Sequence, residues 1–469
     1  MPLREVLVSE RSPESLDEFL TPERDRELAL AISRAKALLK GRSIWSVNST
    51  PRGGGVAEML QSLLPYTRGA GIDARWIVIE GSEPFFALTK RLHNMLHGFP
   101  GDGAGLSRAD ERLYKETCAV NARELAALAA EGDLVILHDP QTAGMAEPLR
   151  GVGARVVWRC HVGTEEVTAP VSGARSFLLP FVRGADAAVF SRPEHRWDGL
   201  GRLPVEVIPP SIDPLAAKNR PLDSDTVRSI LQAAGIQTDG AGQALRRAEL
   251  HGSPPVPVGA ALVAQVSRWD ALKDPVGVLE AFRSRIAPAS DAHLMLAGPA
   301  GAAVADDPES AGVLRQVIAA REACPGELRE RIHLASLPMD DADENASMVN
   351  ALQRRADVMV QKSLAEGFGL TVAEAMWKAK PVVAGAVGGI LDQIVDGESG
   401  RLVAPADLDG FADVVNGLLA DPAGARRMGA AARERVRDRF LSSRHLEQCA
   451  NLFEHVLGSV LADVSDERA

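Results

Sequence analysis

Glycines, basic side chains and carboxylates are grouped at three places in this sequence, each directly after a run of strand-forming residues. The first group, Arg52-Gly53-Gly54-Gly55, follows SIWSVNS (43–49) and precedes the amphipathic run VAEMLQSLLPYTRGAG. Glycine lets a backbone come close to a phosphate, and a helix that starts there offers unpaired N–H groups and a positive dipole end. An ordinary tight turn between strand and helix has the same composition. The second group follows ALVAQVS (261–267) and holds Arg268 and Lys273. A guanidinium fork and an ammonium at one strand end could neutralise a diphosphate together; a solvated surface pair is the alternative. The third group, Glu366 to Ala375, follows ADVMVQKS (356–363), with Gly367 and Gly369 in the loop and a helix expected from about Thr371. The exposed amides at the start of that helix suit phosphate and hydroxyl groups. Glu374, expected inside the first turn, suits vicinal hydroxyls, and Glu366 suits hydroxyls on the opposite side. For Glu374 alone, an acid that complements the helix dipole is the alternative.

Those groups need strand ends to hold them, and the sequence supplies two series. SIWSVNS, ARWIVIEG (74–81), DLVILHD (133–139), ARVVWRCHVG (154–163) and AAVFS (187–191) form the first. ALVAQVS, HLMLAG (293–298), RIHLAS (331–336), ADVMVQKS, KPVVAG (380–385) and GRLVAP (400–405) form the second. Helical patterns separate the runs, which predicts βαβ units and parallel sheets. With 469 residues the chain exceeds what one core normally supports. The expectation is therefore α/β, two doubly wound domains facing each other across a cleft, with ligands beyond the carboxyl ends of the strands. Residues 1–40 read as an extension, 41–210 as the first domain and 211–439 as the second. The helical stretch 440–469 is expected to pack back on the first. VEVIPPSIDPLAAKNRP (205–221) reads as the hinge, and 237–259 as a surface excursion.

The formal charge of −11 argues against nucleic acid, whose binding depends on basic surface. Cys118, Cys160, Cys324 and Cys449 show neither a CxxC pair nor zinc spacing, which suits a reducing compartment without structural disulfides. The charged N-terminus does not read as a signal peptide, and no apolar run reaches the roughly 18 residues of a membrane span. A cytoplasmic protein is expected, with no membrane partner and a homodimer as its assembly.

The two glutamates separated by seven residues, the Ser-Arg pattern ending in Lys273 and the glycine-rich first loop together resemble retaining GT-B glycosyltransferases of family GT4. Further stretches resemble the trehalose synthases of that family, which join a nucleotide-activated glucose to free glucose. They include Val47-Asn48-Ser49-Thr50-Pro51, Phe85-Phe86 with Thr89-Lys90 and His93-Asn94, and His138-Asp139-Pro140-Gln141. Trp158-Arg159-Cys160-His161 and Pro209-Pro210-Ser211-Ile212-Asp213-Pro214 extend the likeness over roughly 40–440. One departure is Gly163, where those synthases carry an acidic residue.

The resemblance implies NDP-glucose as donor and glucose or trehalose as acceptor. Gly54 and Gly55 would face the donor diphosphate, with Arg268 and Lys273 binding it and stabilising the departing NDP. Phe368, Gly369, Leu370 and Thr371 would take phosphate and sugar, Glu374 the ribose, Glu366 the donor glucose, and His161 the donor sugar from the first domain. Glu83, Lys90, Asn94, His138, Asp139 and Gln141 would form the acceptor group. His161 as a satisfied buried histidine and Asp139 as a helix cap are the alternatives. The likeness implies front-face attack with retention and no cofactor; no metal triad stands out, and Mg2+ would at most stimulate. A lipid-directed transferase docking through PFFALTKRLHNMLHGF (84–99), a phosphorylase that uses phosphate, and a non-catalytic nucleotide-sugar sensor are the rivals.

Overall fold

The computed structural model describes residues 3–51, 54–100, 105–238, 247–300 and 308–466. The chain forms two compact units, Met1–Asp213 together with Phe440–Ala469, and Pro214–Arg439.

The first unit is built on a sheet of strands β1 (Arg4–Val6), β2 (Ser43–Asn48), β3 (Asp73–Val78), β4 (Leu134–His138), β5 (Arg155–Cys160), β6 (Ala187–Phe190) and β7 (Val205–Val207). Their order across the sheet is β1-β3-β2-β4-β5-β6-β7, and every pairing is parallel except β1 on β3. Helices cover both faces, which is why β2, β4, β5 and β6 are buried along nearly their whole length. Apart from the antiparallel edge strand, this is the doubly wound order with its switch point between β2 and β4.

Two features of this unit differ from the sequence reading. Val205–Val207, read as the start of the hinge, pairs with β6 as a strand. The first forty residues are built into the sheet and its helical cover: Arg4–Val6 pairs with Trp76–Val78, and the helix Pro22–Leu38 packs on Ser442–Asp466. Arg34 bridges to Glu454 at 2.6 Å and Arg24 to Glu447 at 3.1 Å across that helix pair. Ala31, Ala35 and Leu39 share one core with Leu60, Leu64, Phe453 and Val456.

In the second unit two short strands, β8 (Gln237–Thr238) and β9 (Val256–Pro257), pair with each other inside the predicted excursion, of which 239–246 lie outside the described residues. The main sheet comprises β10 (Leu262–Val266), β11 (His293–Pro299), β12 (Ile332–Leu337), β13 (Val358–Gln361), β14 (Val382–Gly385) and β15 (Arg401–Val403). Its order is β12-β11-β10-β13-β14-β15, all parallel. A doubly wound order thus recurs, here with two strands on one side of β10 and three on the other, and with the switch point between β10 and β13. Both units are Rossmann-like, as the alternating runs predicted.

Candidate active site

In the second unit the second and third sequence groups emerge from the two strands that flank the switch point. Because β10 and β13 are parallel neighbours, their following loops leave the same sheet edge side by side. Leu364 N–H donates to the Leu272 carbonyl at 2.8 Å and joins the loops. The Lys273 ammonium lies against Glu366 Oε2, which also accepts from Ser363 Oγ at 3.3 Å. Both members of this ion pair are largely shielded, with side chains 14% and 11% exposed, whereas Arg268 stands 56% exposed at the rim beside Asp270. The strand sets the lysine's height, since Gln265 Nε2 donates to the Lys273 carbonyl at 2.9 Å.

The loop from Glu366 to Gly369 is held from behind. Gly369 has φ 85° and caps the helix Leu370–Trp377, so the first free amides of that helix follow a glycine turn. Gln393 Nε2 donates to the carbonyls of Phe368 and Gly369, and Gly389 N–H donates to the Gly367 carbonyl at 3.0 Å. With these carbonyls tied back, the peptide units that could meet a phosphate have a fixed orientation. Gly388, at φ 48°, leaves no room for a side chain: a Cβ would stand 1.7 Å from the Glu366 carbonyl oxygen. Beneath, the buried Lys362 ammonium is neutralised by Asp274 and donates to the Pro405 carbonyl at 2.7 Å. Sequence reasoning passed over Gln393, Gly388, Lys362 and Asp274, because none belongs to a local pattern; Asp274, in the left-handed region at φ 47°, had only its place next to Lys273 as a signal.

Glu374 is the fifth residue of Leu370–Trp377 and falls past the first turn, so the dipole alternative loses its geometric basis. Its carboxylate is 4% exposed, 3.5 Å from the Lys218 ammonium and accepting from Gln353 Nε2 at 3.4 Å. Thr371 Oγ1 donates to Gln361 Oε1 at 3.3 Å. Next to Glu374, burial pushes the Lys378 ammonium down to about 7, opposed by the Glu374 charge.

In the first unit, Gly54 has φ 83° and caps the helix Gly55–Gly69, and both glycines are exposed. Arg52 and Gly53 of that group lie outside the described residues. Across the switch point, β4 ends on His138, and Asp139 follows it. Asp139 adopts φ 63°, and its Oδ1 accepts the His161 N–H at 2.7 Å. His138 Nδ1 and His161 Nε2 are 2.9 Å apart. Burial, with Asp139's hydrogen bond to His161 opposing, pushes the Asp139 carboxyl up to about 7. Burial and the nearby Arg159 charge push His138 down to about 3, and His161 well below its ordinary value. Both rings are therefore neutral.

The other acceptor candidates are placed differently. Glu83, Lys90 and Asn94 share one face of the helix Glu83–Leu96, the first two exposed and the third half-buried. Gln141 is half-buried, and its carbonyl faces the Cys118 thiol. That helix reaches the His138–Gln141 loop through packing: Phe85 stacks on Tyr114, whose hydroxyl donates to the Pro140 carbonyl at 2.5 Å. The space a side chain at Gly163 would need is filled by His195, whose ring lies 2.7 Å from the position of such a Cβ.

Among the described residues no group of His, Cys, Asp or Glu stands ready for a metal ion, and no helix is long and apolar enough to cross a membrane. The second unit offers cations, oriented amides and carboxylates at its sheet edge, and the first unit, by itself, neutral imidazoles at its own. A family model described as "Trehalose synthase, N-terminal domain" matches residues 46–196, and one described as "Glycosyl transferases group 1" matches 342–435. The chain is 35% identical to a trehalose synthase of Rubrobacter xylanophilus, covering 92% of this chain and 95% of that one. It is 37% identical to a trehalose synthase of Pyrococcus horikoshii, covering 90% and 91%. Among solved structures, a UDP-forming alpha,alpha-trehalose-phosphate synthase from Burkholderia vietnamiensis superposes with TM-score 0.67 at 17% identity, over 89% of this chain and 99% of that one.

Proposed function

The chain belongs to the trehalose synthase family of GT-B glycosyltransferases, and from that premise we propose that it makes trehalose reversibly from NDP-glucose and glucose, releasing NDP with retention at the anomeric carbon. The observation that carries the donor half is the Lys273–Glu366 pair beside the first amides of Leu370–Trp377, at the switch point of the second unit. A diphosphate arriving there competes with Glu366 for the ammonium. Glu366 is then released toward the glucosyl hydroxyls, while Lys273 and the exposed Arg268 take the phosphate charge. Oriented cations and amides stabilise the charge that develops on the departing NDP, usually the largest single contribution to such a reaction. They supply the counter-charge that a protein-held metal would otherwise bring.

In the reaction the bond from the glucosyl C1 to the diphosphate oxygen breaks as the acceptor hydroxyl bonds to C1 on the same face. The hydroxyl proton passes to a diphosphate oxygen and leaves with NDP. No side-chain nucleophile is needed, unlike a retaining glycosidase with its carboxylate pair. Glu374 serves the ribose, and His161 with Asp139 belongs to the sugar side in the first unit. The four cysteines are free thiols, which suits a reducing cytoplasm, and a homodimer is the proposed assembly.

The test is to supply each NDP-glucose with glucose and identify the product by NMR. Formation of α,α-trehalose with one equivalent of NDP is expected. An inverted linkage, or hydrolysis that ignores added glucose, would remove the proposal.

A further inference from the structure

His138 stands out because it is buried at 3% exposure, ends a central strand and touches the imidazole of His161. The two rings are nearly coplanar, at 20°, with centroids 5.2 Å apart. At that separation they meet edge to edge through the 2.9 Å contact between His138 Nδ1 and His161 Nε2. One of the two nitrogens must donate, so each ring dictates the other's tautomer.

Arg159 decides which. It is the partner of His138 on the neighbouring strand β5, two residues before His161, and it is buried. Its guanidinium donates to His445 Nε2 at 2.8 Å and to the Ile208 carbonyl at 3.1 Å, and it keeps its proton at any ordinary pH. Since Arg159 can only donate, His445 accepts at Nε2 and donates from Nδ1 to Ser211 Oγ at 2.9 Å. Arg159 Nε and His138 Nε2 are both buried without a hydrogen-bond partner, and the two residues line one small cavity of about 70 Å³. A proton on His138 Nε2 would add positive charge density to a low-dielectric space that already holds the fixed Arg159 cation. A bare lone pair there is favoured instead. The His138 proton therefore sits on Nδ1 and is donated to His161 Nε2. His161 must then carry its own proton on Nδ1, opposite to the preference of a free histidine in water.

We propose that His138 is a positioning residue that fixes His161 as the Nδ1–H tautomer, so that His161 meets the substrate as a hydrogen-bond donor and never as a base. Asp139 fixes the backbone of the same residue through the 2.7 Å bond to its N–H, so adjacent residues of one strand end hold the ring and the main chain of His161 separately. The consequence for turnover rests on the proposed glucosyl transfer; the tautomer does not.

The experiment labels the full-length chain with ¹⁵N-histidine and reads ring-nitrogen shifts near pH 7.5, with the His161 signals identified by their loss in His161→Asn. Wild-type His161 is expected to show a protonated Nδ1 and an unprotonated Nε2; a protonated Nε2 would overturn the proposal whatever the enzyme's substrate proves to be. Two variants test the consequence by kinetics. His138→Leu removes the donor and is expected to lower kcat at least about tenfold, the worth of one good hydrogen bond, with the KM for NDP-glucose little changed. His138→Asn keeps an N–H close to the Nδ1 position and is expected to recover activity to within about threefold of wild type. Equal impairment of both variants, or full activity of both, would contradict the positioning role.

Discussion

At the scale of single residues, the proposed donor site depends on charges that are already neutralised within the protein. Lys273 is held against Glu366. Lys273→Met should therefore do more than remove a cation, because it leaves a shielded carboxylate facing the incoming diphosphate. We expect kcat/KM for the donor to fall by about 10²–10³, the range found when one stabilising donor is lost, and Tm to fall as well because Glu366 loses its counter-ion. Steady-state kinetics with a parallel melting curve checks both halves, and a loss confined to Tm would contradict the assignment. Gly388 makes a second point about the same loop. Gly388→Ala would force a Cβ to within 1.7 Å of the Glu366 carbonyl oxygen, so the loop carrying Glu366 must move. Gly397→Ala is the matched control: it also has positive φ, at 79°, but has no atom within 4 Å of the new Cβ. Only the left-handed backbone penalty of about 1–2 kcal/mol is expected there, with activity kept. Equal loss of activity in the two variants would show that the space at Gly388 is irrelevant.

At the scale of elements, the two sheets put the proposed site residues where their strand order reverses, and the C-terminal helix belongs to the core of the first unit. Phe453 on that helix is 7% exposed among Ala31, Ala35, Leu60 and Leu64. Phe453→Ala should destabilise the first unit by roughly 3–5 kcal/mol, measured by denaturant unfolding, and a cost below about 1 kcal/mol would mean the helix is only loosely docked. The strands of both series were legible because parallel strands buried on both faces become short continuous apolar runs, such as LVILH and LVAQV, that end at polar loops. Lys273 and Glu366 were legible as residues just past strand ends. Their contact was not, since it arises from the neighbouring of β10 and β13, and residue spacing does not reveal strand order. The same holds for His138 with His161, and for Arg159 with His445 across a separation of 286 residues. Arg4–Val6 was missed because three edge residues, two exposed and one half-buried, carry no periodic signal. The strand Val205–Val207 was hidden by the prolines that follow it.

At the scale of the molecule, buried neutral histidines set the response to acid. His138 is pushed down to about 3 and His195 and His333 to about 4, in each case first by burial. Their unfolded value is near 6.5, so between about pH 6.5 and 4 the unfolded chain binds protons that the native one does not, and stability falls as pH falls. Asp139, held up at about 7, acts in the opposite direction: its contribution is present below about pH 4 and is lost as pH rises toward 7. The histidines, His161 and His445 among them, outnumber the one acid and leave a net loss on acidification, about 1.4 kcal/mol per pH unit for each uncompensated proton. Urea unfolding at pH 7 and pH 5 should show it, and equal stabilities at the two values would refute it. The division of the chain carries a further expectation. Pro214–Arg439 is continuous in sequence, so as a separate fragment it should fold and bind NDP without transferring glucose. Residues 1–213 alone lack the 440–469 segment that completes their core, and should be insoluble.

The central claim is reversible glucosyl transfer between a nucleoside diphosphate and glucose, and running it backwards tests it most directly. The purified full-length protein is incubated with trehalose and ADP, UDP or GDP, each in a separate reaction, and with inorganic phosphate in another. Equal amounts of NDP-glucose and free glucose from at least one nucleotide, and nothing from phosphate, is the expected result. Glucose 1-phosphate from phosphate, with all three nucleotides inert, would contradict the account and make the protein a phosphorylase.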